Sequence, residues 1–393
     1  MIISKSKRMD LFPSSIFTEL AEYKRNKIRD GKQLIDLSIG SPDLSPPDFL
    51  REELSRQTSI GTNYGYTLNG TAEFHSAVAD YYKRKYNASV DPESEVLLSM
   101  GSQDALVHLP MVFCDPGDII FVPDPGYTAY ATGISLAGAT PYFMPLQKEN
   151  GFLPDLSAIP KEIALRAKMM ILNFPGNPIP AMADFNFFTK AIEFAKHYNI
   201  LIVHDFAYSE LYFDNHKPIS FLSVPGSKDV AIELNSLSKS FNLAGCRIGY
   251  AAGNRSAIAA LQHFKSNLDY GVFLPVQNAS IAAMKYGDEF SEQNRKVYEQ
   301  RRNVLVEGLR SLGWNVDRPQ GGMFIWARIP EGYSSSGFAY ELIDRTNVVV
   351  TPGNAFGPTG EGYVRIALVQ NEAVLAKAVD NISTSGIFDI QRV

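Results

Sequence analysis

The chain has 393 residues, and 37 lysines and arginines stand against 42 aspartates and glutamates, which gives a formal net charge of −5. This length predicts two domains with enough residues for a sizeable core. The acidic balance argues against nucleic-acid binding, and no apolar run reaches the roughly 20 residues of a membrane span. Two cysteines without metal or redox spacing, and an N-terminus without a signal-peptide core, favour a cytoplasmic protein.

The first part of the chain predicts a helix over 15–31, after a basic arm, and a strand over 34–39. Gly40-Ser41-Pro42-Asp43 then predicts a chain reversal at which backbone can approach a ligand, so Gly40 is a candidate binding residue. The next run, Ser45-Pro46-Pro47-Asp48, predicts the start of a helix with Ser45 as its N-cap.

Two loops follow that contain glycine. The aromatic loop Asn63–Gly70 taken alone predicts a turn before a helix over 73–82. Farther on, a strand over 96–100 leads into Gly101-Ser102-Gln103 and a helix over 104–114. Free N–H groups and the helix dipole make such a turn a candidate phosphate site, although an ordinary turn between a strand and a helix fits these residues equally well.

Four buried strands run into polar or glycine-rich segments, and open α/β sheets place their ligands at such strand ends. These are the strands over 119–122, 168–172, 200–204 and 230–234, which lead to Pro123-Asp124-Pro125-Gly126-Tyr127, Asn173-Phe174-Pro175-Gly176-Asn177-Pro178-Ile179-Pro180, Asp205-Phe206-Ala207-Tyr208 and Ser236–Gly249. Helical spacing of Phe188, Ala191, Ile192 and Ala195 predicts a helix that crosses back over the sheet. A buried acid such as Asp205 needs a partner; its alternative role is a helix N-cap.

The segment Ser236–Gly249 centres on Lys239 and reads Ser-Leu-Ser-Lys-Ser-Phe-Asn-Leu-Ala-Gly-Cys-Arg-Ile-Gly. The hydroxyls of Ser236 and Ser238 with the guanidinium of Arg247 suit a phosphate, because the guanidinium stays charged and matches phosphate oxygens. The lysine amine remains available to condense with an aldehyde. A phosphate and an aldehyde together indicate pyridoxal phosphate, whereas Ser-x-Ser-Lys alone is more often a solvated lysine beside a serine-rich loop.

The longer pattern, Ser-x-Ser-Lys followed by Gly-x-Arg-x-Gly, resembles the cofactor-lysine signature of the class I and II pyridoxal-phosphate aminotransferases, and the resemblance extends over nearly the whole chain. It implies fold type I, an α/β fold with a large, mostly parallel sheet domain flanked by helices and a smaller α/β domain. The pattern changes at Gly287, where a long helix is predicted over 288–312. The large cofactor-binding domain is therefore expected at 44–286, and a discontinuous small domain at 1–43 and 287–393.

The resemblance implies a role for each catalytic candidate. Lys239 would hold the cofactor as a Schiff base and act as general acid and base, and Asp205 would pair with the pyridine nitrogen. Tyr208 and Asn177 would donate hydrogen bonds to the phenolic oxygen, and Tyr127 would stack on the ring. The phosphate contacts implied are Gly101, Ser102, Gln103, Ser236, Ser238 and Arg247.

The family's substrate and subunit contacts also have counterparts. Arg365 would bind the substrate α-carboxylate in a two-pronged ion pair, with Gly40 and Asn177 beside it; without the other motifs, a surface arginine at a strand end is the alternative. A tyrosine of the aromatic loop, Tyr66 or alternatively Tyr64, would reach the partner's cofactor phosphate. The resemblance therefore implies a homodimer.

Two features concern the substrate and the loop at Asn177. Ile179-Pro180 replaces the family's Thr-Gly, and proline removes both an N–H and the freedom to take positive φ, so the loop's path is open. In dicarboxylate-specific members of the family, a partner-chain arginine commonly lies in the segment that corresponds to 265–270. This segment has no arginine, which argues against a simple dicarboxylate substrate, although Lys265 could still supply a cation. Asp269, if it faces the site, would favour a distal ammonium group.

The runs 7–17 and 265–277 resemble LL-diaminopimelate aminotransferases. The expected function is transfer of an amino group from an amino acid to a 2-oxo acid, with LL-diaminopimelate and 2-oxoglutarate as the candidate pair. Alternatives are a pyridoxal-phosphate carbon–sulfur β-lyase, a general aspartate, alanine or aromatic aminotransferase, and a non-enzymatic sensor fused to a DNA-binding domain. No metal-ligand spacing is present, and the six histidines receive no role.

Overall fold

The computed structural model describes residues 3–12 and 15–388, and its strands form three sheets. The strands are β1 (Ile35–Asp36), β2 (Val96–Ser99), β3 (Ile119–Asp124), β4 (Thr140–Pro145), β5 (Ala167–Leu172), β6 (Leu201–Asp205), β7 (Ala231–Ser236), β8 (Gly249–Gly253), β9 (Phe324–Arg328), β10 (Val348–Val349), β11 (Thr351–Pro352) and β12 (Tyr363–Ala367). Pro13 and Ser14 of the predicted basic arm, and 389–393 of the predicted small domain, lie outside the described residues.

Helices cover these sheets. They are α1 (Ile16–Arg29), α2 (Asp48–Thr58), α3 (Ala72–Tyr86), α4 (Ser102–Phe113), α5 (Thr128–Ala137), α6 (Lys161–Ala164), α7 (Phe185–Tyr198), α8 (Leu237–Ser240), α9 (Arg255–Lys265), α10 (Leu274–Tyr286), α11 (Asp288–Ser311), α12 (Ser335–Thr346) and α13 (Glu372–Ser383). None of the helices within the described ranges has both the length and the hydrophobicity that crossing a membrane requires.

The largest sheet has seven strands in the order β2-β8-β7-β6-β5-β3-β4. Strand β8 runs antiparallel to both its neighbours, and the other neighbouring pairs are parallel. The inner strands are buried along nearly their whole length and are mostly apolar, as expected for a parallel sheet covered on both faces, although β6 and β7 also carry the buried pair His204 and Glu233. The predicted mostly parallel α/β fold is confirmed.

Helix α7 illustrates how the sequence builds the layer above this sheet. The side chain of Asp184 caps its first turn by accepting from the Phe187 N–H, and Asn199 ends it in the left-handed region with φ 56°. Phe187, Phe188, Ala191, Ile192 and Ala195 form its buried face, at the spacing that predicted the helix. Complete burial of a side chain such as Phe188 contributes about 1.5–3 kcal/mol.

The remaining strands form two smaller sheets, which combine β1 near the N-terminus with β9 to β12 from the C-terminal part of the chain. Strands β11, β12 and β9 form an antiparallel sheet, and β1 pairs with β10 in parallel. Ile35 and Leu37 share one hydrophobic core with residues from α11, α12 and α13. This core supports joining 1–43 to 287–393 as a small domain, the division that we propose.

Two predicted boundaries were wrong. The strand over 34–39 is reduced to β1, because only Ile35 and Asp36 have partners in β10. Ser45 is not the N-cap of α2; Pro47 takes that position in an extended conformation, and the helix begins at Asp48. The reason is the second proline, since a residue that precedes a proline is pushed out of the helical region, which prevents Pro46 from starting the helix.

Candidate active site

A cavity of about 410 Å³ lies at the ends of the parallel strands. Its wall contains every predicted site residue except Tyr66: Gly40, Gly101, Ser102, Gln103, Tyr127, Asn177, Asp205, Tyr208, Ser236, Ser238, Lys239, Arg247 and Arg365. Most of these residues meet because the carboxyl ends of neighbouring parallel strands share one sheet edge. Gly40 and Arg365 reach the cavity from the smaller sheets, after β1 and within β12.

Lys239 lies in the short helix α8, directly after β7. The Ser236 Oγ caps this helix by accepting from the Ser238 N–H at 3.1 Å, which fixes the turn that presents the lysine. Nζ of Lys239 donates to the carbonyl oxygen of Gly40 at 2.7 Å. Burial, together with the charges of Arg365 and Arg247, lowers the pKa of Lys239 to about 8. A larger share of the amine is therefore neutral and nucleophilic near neutral pH than in an exposed lysine.

The Gly40 loop is held in place by an ion pair between a buried arginine and an exposed aspartate. Asp43, at the end of this loop, accepts two hydrogen bonds from Arg301 of α11, at 2.7 Å to Oδ1 and 2.8 Å to Oδ2. The Arg301 side chain is 2% exposed and also donates to the Leu368 carbonyl at 3.0 Å. This two-pronged contact fixes the carbonyl that faces the Lys239 amine.

Asp205 is the last residue of β6, and its side chain is buried. Oδ2 accepts from the Tyr130 hydroxyl at 3.0 Å, and Oδ1 accepts from the Ala207 N–H at 3.3 Å. Burial raises the pKa of this carboxyl, although both hydrogen bonds oppose the shift. Turns rather than a helix follow Asp205, so the alternative role as helix N-cap is wrong. A buried carboxyl with neutral partners alone suits a cationic ligand group.

The space beside Gly101 is lined by hydrogen-bond donors from the start of α4, from Arg247 and from the two serines Ser236 and Ser238. Gly101 has φ 78° and precedes α4, whose first N–H groups have no side-chain cap. Arg247 donates to the carbonyls of Ala244 at 3.1 Å and Met100 at 3.4 Å. A Cβ on Gly101 would lie 2.7 Å from Nη2 of Arg247, so only glycine leaves this space open. With Ser236 and Ser238 nearby, the donors form a cradle that fits a phosphate.

Arg365 of β12 is 4% exposed, so its alternative as a surface arginine is wrong. Nη1 donates to Asn177 Oδ1 at 2.7 Å, and Nη2 donates to the Ser38 carbonyl at 2.6 Å. The guanidinium lies over the rings of Phe324 and Phe356, at 4.2 and 4.7 Å from their centroids. Burial lowers its pKa to about 10. Because no described carboxylate pairs with it, this buried cation favours an anionic ligand.

The loop at Asn177 follows a definite path despite Ile179-Pro180. Ile179 is buried in a small apolar cluster with Leu146, Trp326 and Phe356. The Asn177 N–H donates to Asn173 Oδ1 at 2.8 Å. Since Asn177 Oδ1 already accepts from Arg365, its amide NH₂ group is the part that can donate to a ligand.

The two aromatic candidates, Tyr127 and Tyr208, both line the cavity. The Tyr127 ring meets Tyr130 edge to face at 5.7 Å, and its hydroxyl donates to Gln103 Oε1 at 3.2 Å. Tyr208 packs against Phe324 at 5.8 Å, and burial raises its pKa, so its hydroxyl stays protonated as a hydrogen-bond donor.

Tyr64 and Tyr66 lie outside the cavity wall of this chain. Tyr64 is 62% exposed, but its hydroxyl donates to the Thr58 carbonyl at 2.9 Å. Tyr66 is 83% exposed and packs on Tyr270 at 4.9 Å. The greater exposure of Tyr66 favours it as the tyrosine that reaches a second subunit.

Asp269 is not a substrate contact in this chain, contrary to the expectation for a residue facing the site. Its Oδ2 accepts from Lys265 at 2.7 Å, and Lys265 is itself 3% exposed and paired with Asp104 at 2.5 Å. Neither Asp269 nor Lys265 lines the cavity. A distal ammonium contact by Asp269 would have to come from the partner chain, and it stays a prediction.

Sequence reasoning missed several residues of the wall. Phe17, Leu20 and Lys24 of α1 line the cavity, and Tyr130 holds Asp205 from α5. The three α1 residues repeat at helical spacing and therefore share one face, a signal that could have pointed to a common surface. The pairing of Tyr130 with Asp205 spans 75 residues, and no local pattern encodes it.

Comparisons with known proteins agree on one family. The model described as "Aminotransferase class I and II" matches residues 32–382. A protein of Moorella thermoacetica named LL-diaminopimelate aminotransferase is 42% identical over 381 residues, which covers 97% of this chain and 98% of the relative. The substrate-bound BacF structure from Bacillus subtilis has a TM-score of 0.93 at 37% identity and covers 98% of both chains. A probable N-succinyldiaminopimelate aminotransferase from Thermus thermophilus has a TM-score of 0.89 at 34% identity, covering 94% of this chain and 100% of its own.

Proposed function

The chain belongs to the class I and II aminotransferases, and we propose that it holds pyridoxal phosphate in the 410 Å³ cavity through Lys239. The family is pyridoxal-phosphate dependent, and the chain is an enzyme that transfers an amino group from an amino acid to a 2-oxo acid. The observation that carries the site proposal is one cavity in which a lysine of lowered pKa meets a buried acid, a phosphate cradle and a buried arginine.

Five parts of the cavity wall would bind the cofactor: Asp205, Tyr208, Asn177, Tyr127 and the phosphate cradle. Pyridoxal phosphate supplies an aldehyde carbon and a ring that accepts electrons. Asp205 keeps a proton on the ring nitrogen, because a buried carboxylate is stabilised by a facing cation. Tyr208 and the amide NH₂ of Asn177 donate to the phenolic oxygen. The Gly101 cradle and Arg247 hold the phosphate, and Tyr127 covers the ring.

Lys239 and Arg365 act on the substrate. The two N–H prongs of Arg365 bind the α-carboxylate and thereby orient the Cα–H bond. The Lys239 amine would take up and return the Cα proton of the substrate as general base and acid. Its lowered pKa suits both directions of this transfer near neutral pH, and the Gly40 carbonyl holds the free amine in position.

We further propose LL-diaminopimelate as the amino donor and 2-oxoglutarate as the acceptor. Relatives that bear the LL-diaminopimelate name are 42% identical over nearly the full length. Lys24 is the one basic residue in the described cavity wall without a role in the steps above. It forms an ion pair with Asp36 at 2.7 Å, which a substrate carboxylate would have to share, and it donates to Ser38 Oγ at 3.3 Å; the Ser38 carbonyl in turn accepts from Arg365. A carboxylate at the far end of a substrate would meet Lys24.

The test compares kcat/KM for LL-diaminopimelate, aspartate, alanine and an aromatic donor, each with 2-oxoglutarate, while pyruvate and ammonia release is scored for β-elimination. Preference for aspartate by more than about 100-fold, some 2.7 kcal/mol, would overturn the donor. Lys24→Met should lower kcat/KM for LL-diaminopimelate by roughly tenfold and leave alanine unaffected, because alanine has no distal carboxylate. An equal loss for both donors would contradict the role of Lys24.

The proposed enzyme is a homodimer in which Tyr66 reaches the cofactor phosphate of the partner. Support comes from the exposed aromatic pair of Tyr66 and Tyr270. Sedimentation at assay concentration should give the mass of a dimer. Full activity in a monomer would overturn this proposal.

A further inference from the structure

A buried charge cluster lies directly behind the Gly101 turn. Asp104, in the first turn of α4, accepts from the Met100 N–H at 3.0 Å and from Lys265 at 2.5 Å through the same oxygen, Oδ2. Its other oxygen lies 2.8 Å from Nδ1 of His108. The side chains of Lys265 and Asp104 are 3% and 9% exposed. The cluster thus clamps the residue that precedes the turn.

The position of Asp104 raises an electrostatic conflict with a bound phosphate. The Met100 N–H donates to Asp104, and the Met100 carbonyl accepts from Arg247. A single residue therefore separates the Asp104 carboxylate from the phosphate cradle. A lone carboxylate there would repel a phosphate dianion through a poorly screened medium. Lys265 offsets part of that repulsion, because its ammonium group contacts the Asp104 carboxylate directly while it also pairs with Asp269.

Lys265 also connects the cradle to the aromatic loop. Its second partner, Asp269, accepts from the Gly271 N–H at 2.9 Å. A Cβ on Gly271 would lie 2.5 Å from the Leu68 carbonyl, and Leu68 donates to the Tyr270 carbonyl at 3.0 Å. The chain of contacts therefore runs from the Gly101 turn to the loop that carries Tyr66.

We propose that Lys265 is the positioning residue of the phosphate site: it neutralises Asp104 behind the Gly101 turn and ties that turn to the loop that carries Tyr66. This inference rests on the proposed function, since it requires a cofactor phosphate at the cradle. It assigns Lys265 no contact with the substrate or the cofactor. Its effect is transmitted through Asp104 on one side and Asp269 on the other.

The experiment titrates cofactor-free enzyme with pyridoxal phosphate, follows absorbance, and measures how strongly inorganic phosphate competes. Lys265→Met should raise the Kd of pyridoxal phosphate and the competition constant of phosphate by about tenfold or more, because the variant leaves the Asp104 and Asp269 carboxylates without their shared cation at an effective dielectric constant near 20. Lys265→Arg keeps the charge and should stay within about threefold of wild type. Adding Asp104→Asn to Lys265→Met should restore most of the affinity, because the repelling charge is then absent.

Each outcome bears on the inference. Unchanged affinities in Lys265→Met, or no rescue in the double variant, would overturn it. If Lys265→Met does not fold, the single variant Asp104→Asn provides the test. A Kd of pyridoxal phosphate no more than about threefold above the wild-type value supports the charge argument, and a tenfold higher Kd contradicts it. Wild-type enzyme that fails to bind pyridoxal phosphate would refute the proposed function itself, whereas tight wild-type binding with no effect of Lys265→Met would refute this inference alone.

Discussion

Replacing Lys239 by methionine should stabilise the cofactor-free protein while it abolishes amino transfer. Methionine has nearly the same length as lysine but carries no charge, so it removes the cost of holding an ammonium group inside the cavity wall. Lys239 is buried and close to two arginines, Arg365 and Arg247, whose charges add to that cost. The same features that make this amine reactive therefore make it unfavourable for folding.

The magnitude follows from the pKa. Lys239 titrates at about 8 instead of its ordinary 10.5, and each pKa unit corresponds to about 1.36 kcal/mol, so the protonated group costs roughly 3.4 kcal/mol below pH 8. The substitution also loses the hydrogen bond to the Gly40 carbonyl, about 1 kcal/mol. The net gain in the free energy of unfolding near neutral pH is therefore about 2 kcal/mol.

The pH dependence gives a second signature. Between the folded pKa of about 8 and the unfolded value of 10.5, the unfolded chain keeps a proton that the folded chain has released, so wild-type stability rises with pH over this window. The advantage of the variant should shrink accordingly. Urea unfolding followed by circular dichroism, at one protein concentration and at several pH values, measures both effects. Lys377→Met, at an exposed position of α13, is the matched control.

Destabilisation by Lys239→Met near neutral pH, or a stability difference that does not change with pH, would refute the reasoning. The first result would mean that the ammonium group is better compensated in the cavity than its contacts indicate. The second would mean that the effect arises from packing and not from charge.

Three further substitutions test other parts of the site. Asp205→Asn should lower kcat by about 100-fold or more while circular dichroism stays unchanged, because an amide cannot hold the ring-nitrogen proton; a kcat near the wild-type value would contradict its role. Arg365→Lys should raise KM for the amino donor roughly 10- to 100-fold in steady-state kinetics, because one charge-assisted hydrogen bond of about 1.5–3 kcal/mol is lost. An unchanged KM would mean that the α-carboxylate binds elsewhere. Arg301→Met should lower the free energy of unfolding by about 1.5 kcal/mol in urea, because the charge-assisted hydrogen bonds to Asp43 are lost. Asp43→Asn is the companion variant, and a wild-type midpoint in both would show that the ion pair contributes nothing.

Features encoded locally were accessible from the sequence. The apolar strands, and the polar segments at their ends, predicted where Asp205, Lys239 and Arg247 would meet, because parallel strands must share one edge. The long helix α11 was predicted to within one residue of its end, since its amphipathic pattern and the glycines on both sides mark it.

Features that depend on tertiary contacts were not accessible. Lys265 meets Asp104 across 161 residues, so the sequence around Asp269 suggested a substrate contact where the structure has an ion pair. Ser45 is an exception that the local sequence explains: Pro46 precedes a second proline and is disfavoured in the helical region, and this outweighs the preference of serine for caps. The role of α1 as a cavity wall likewise depends on packing that helical spacing alone does not specify.

The reversed direction of β8 affects the order in which the site can assemble. Because β7 and β8 are antiparallel neighbours, the segment between them, Leu237–Ile248, begins and ends at the same sheet edge. Lys239 and Arg247 both lie on this one loop, so its closure brings the amine and the guanidinium together at a small entropic cost. A parallel β8 would have required a crossover of a dozen or more residues and would have placed the start of that strand at the opposite edge. The antiparallel pairing allows these two groups to meet through a short-range contact, before the distant segments that carry Gly40 and Arg365 have docked.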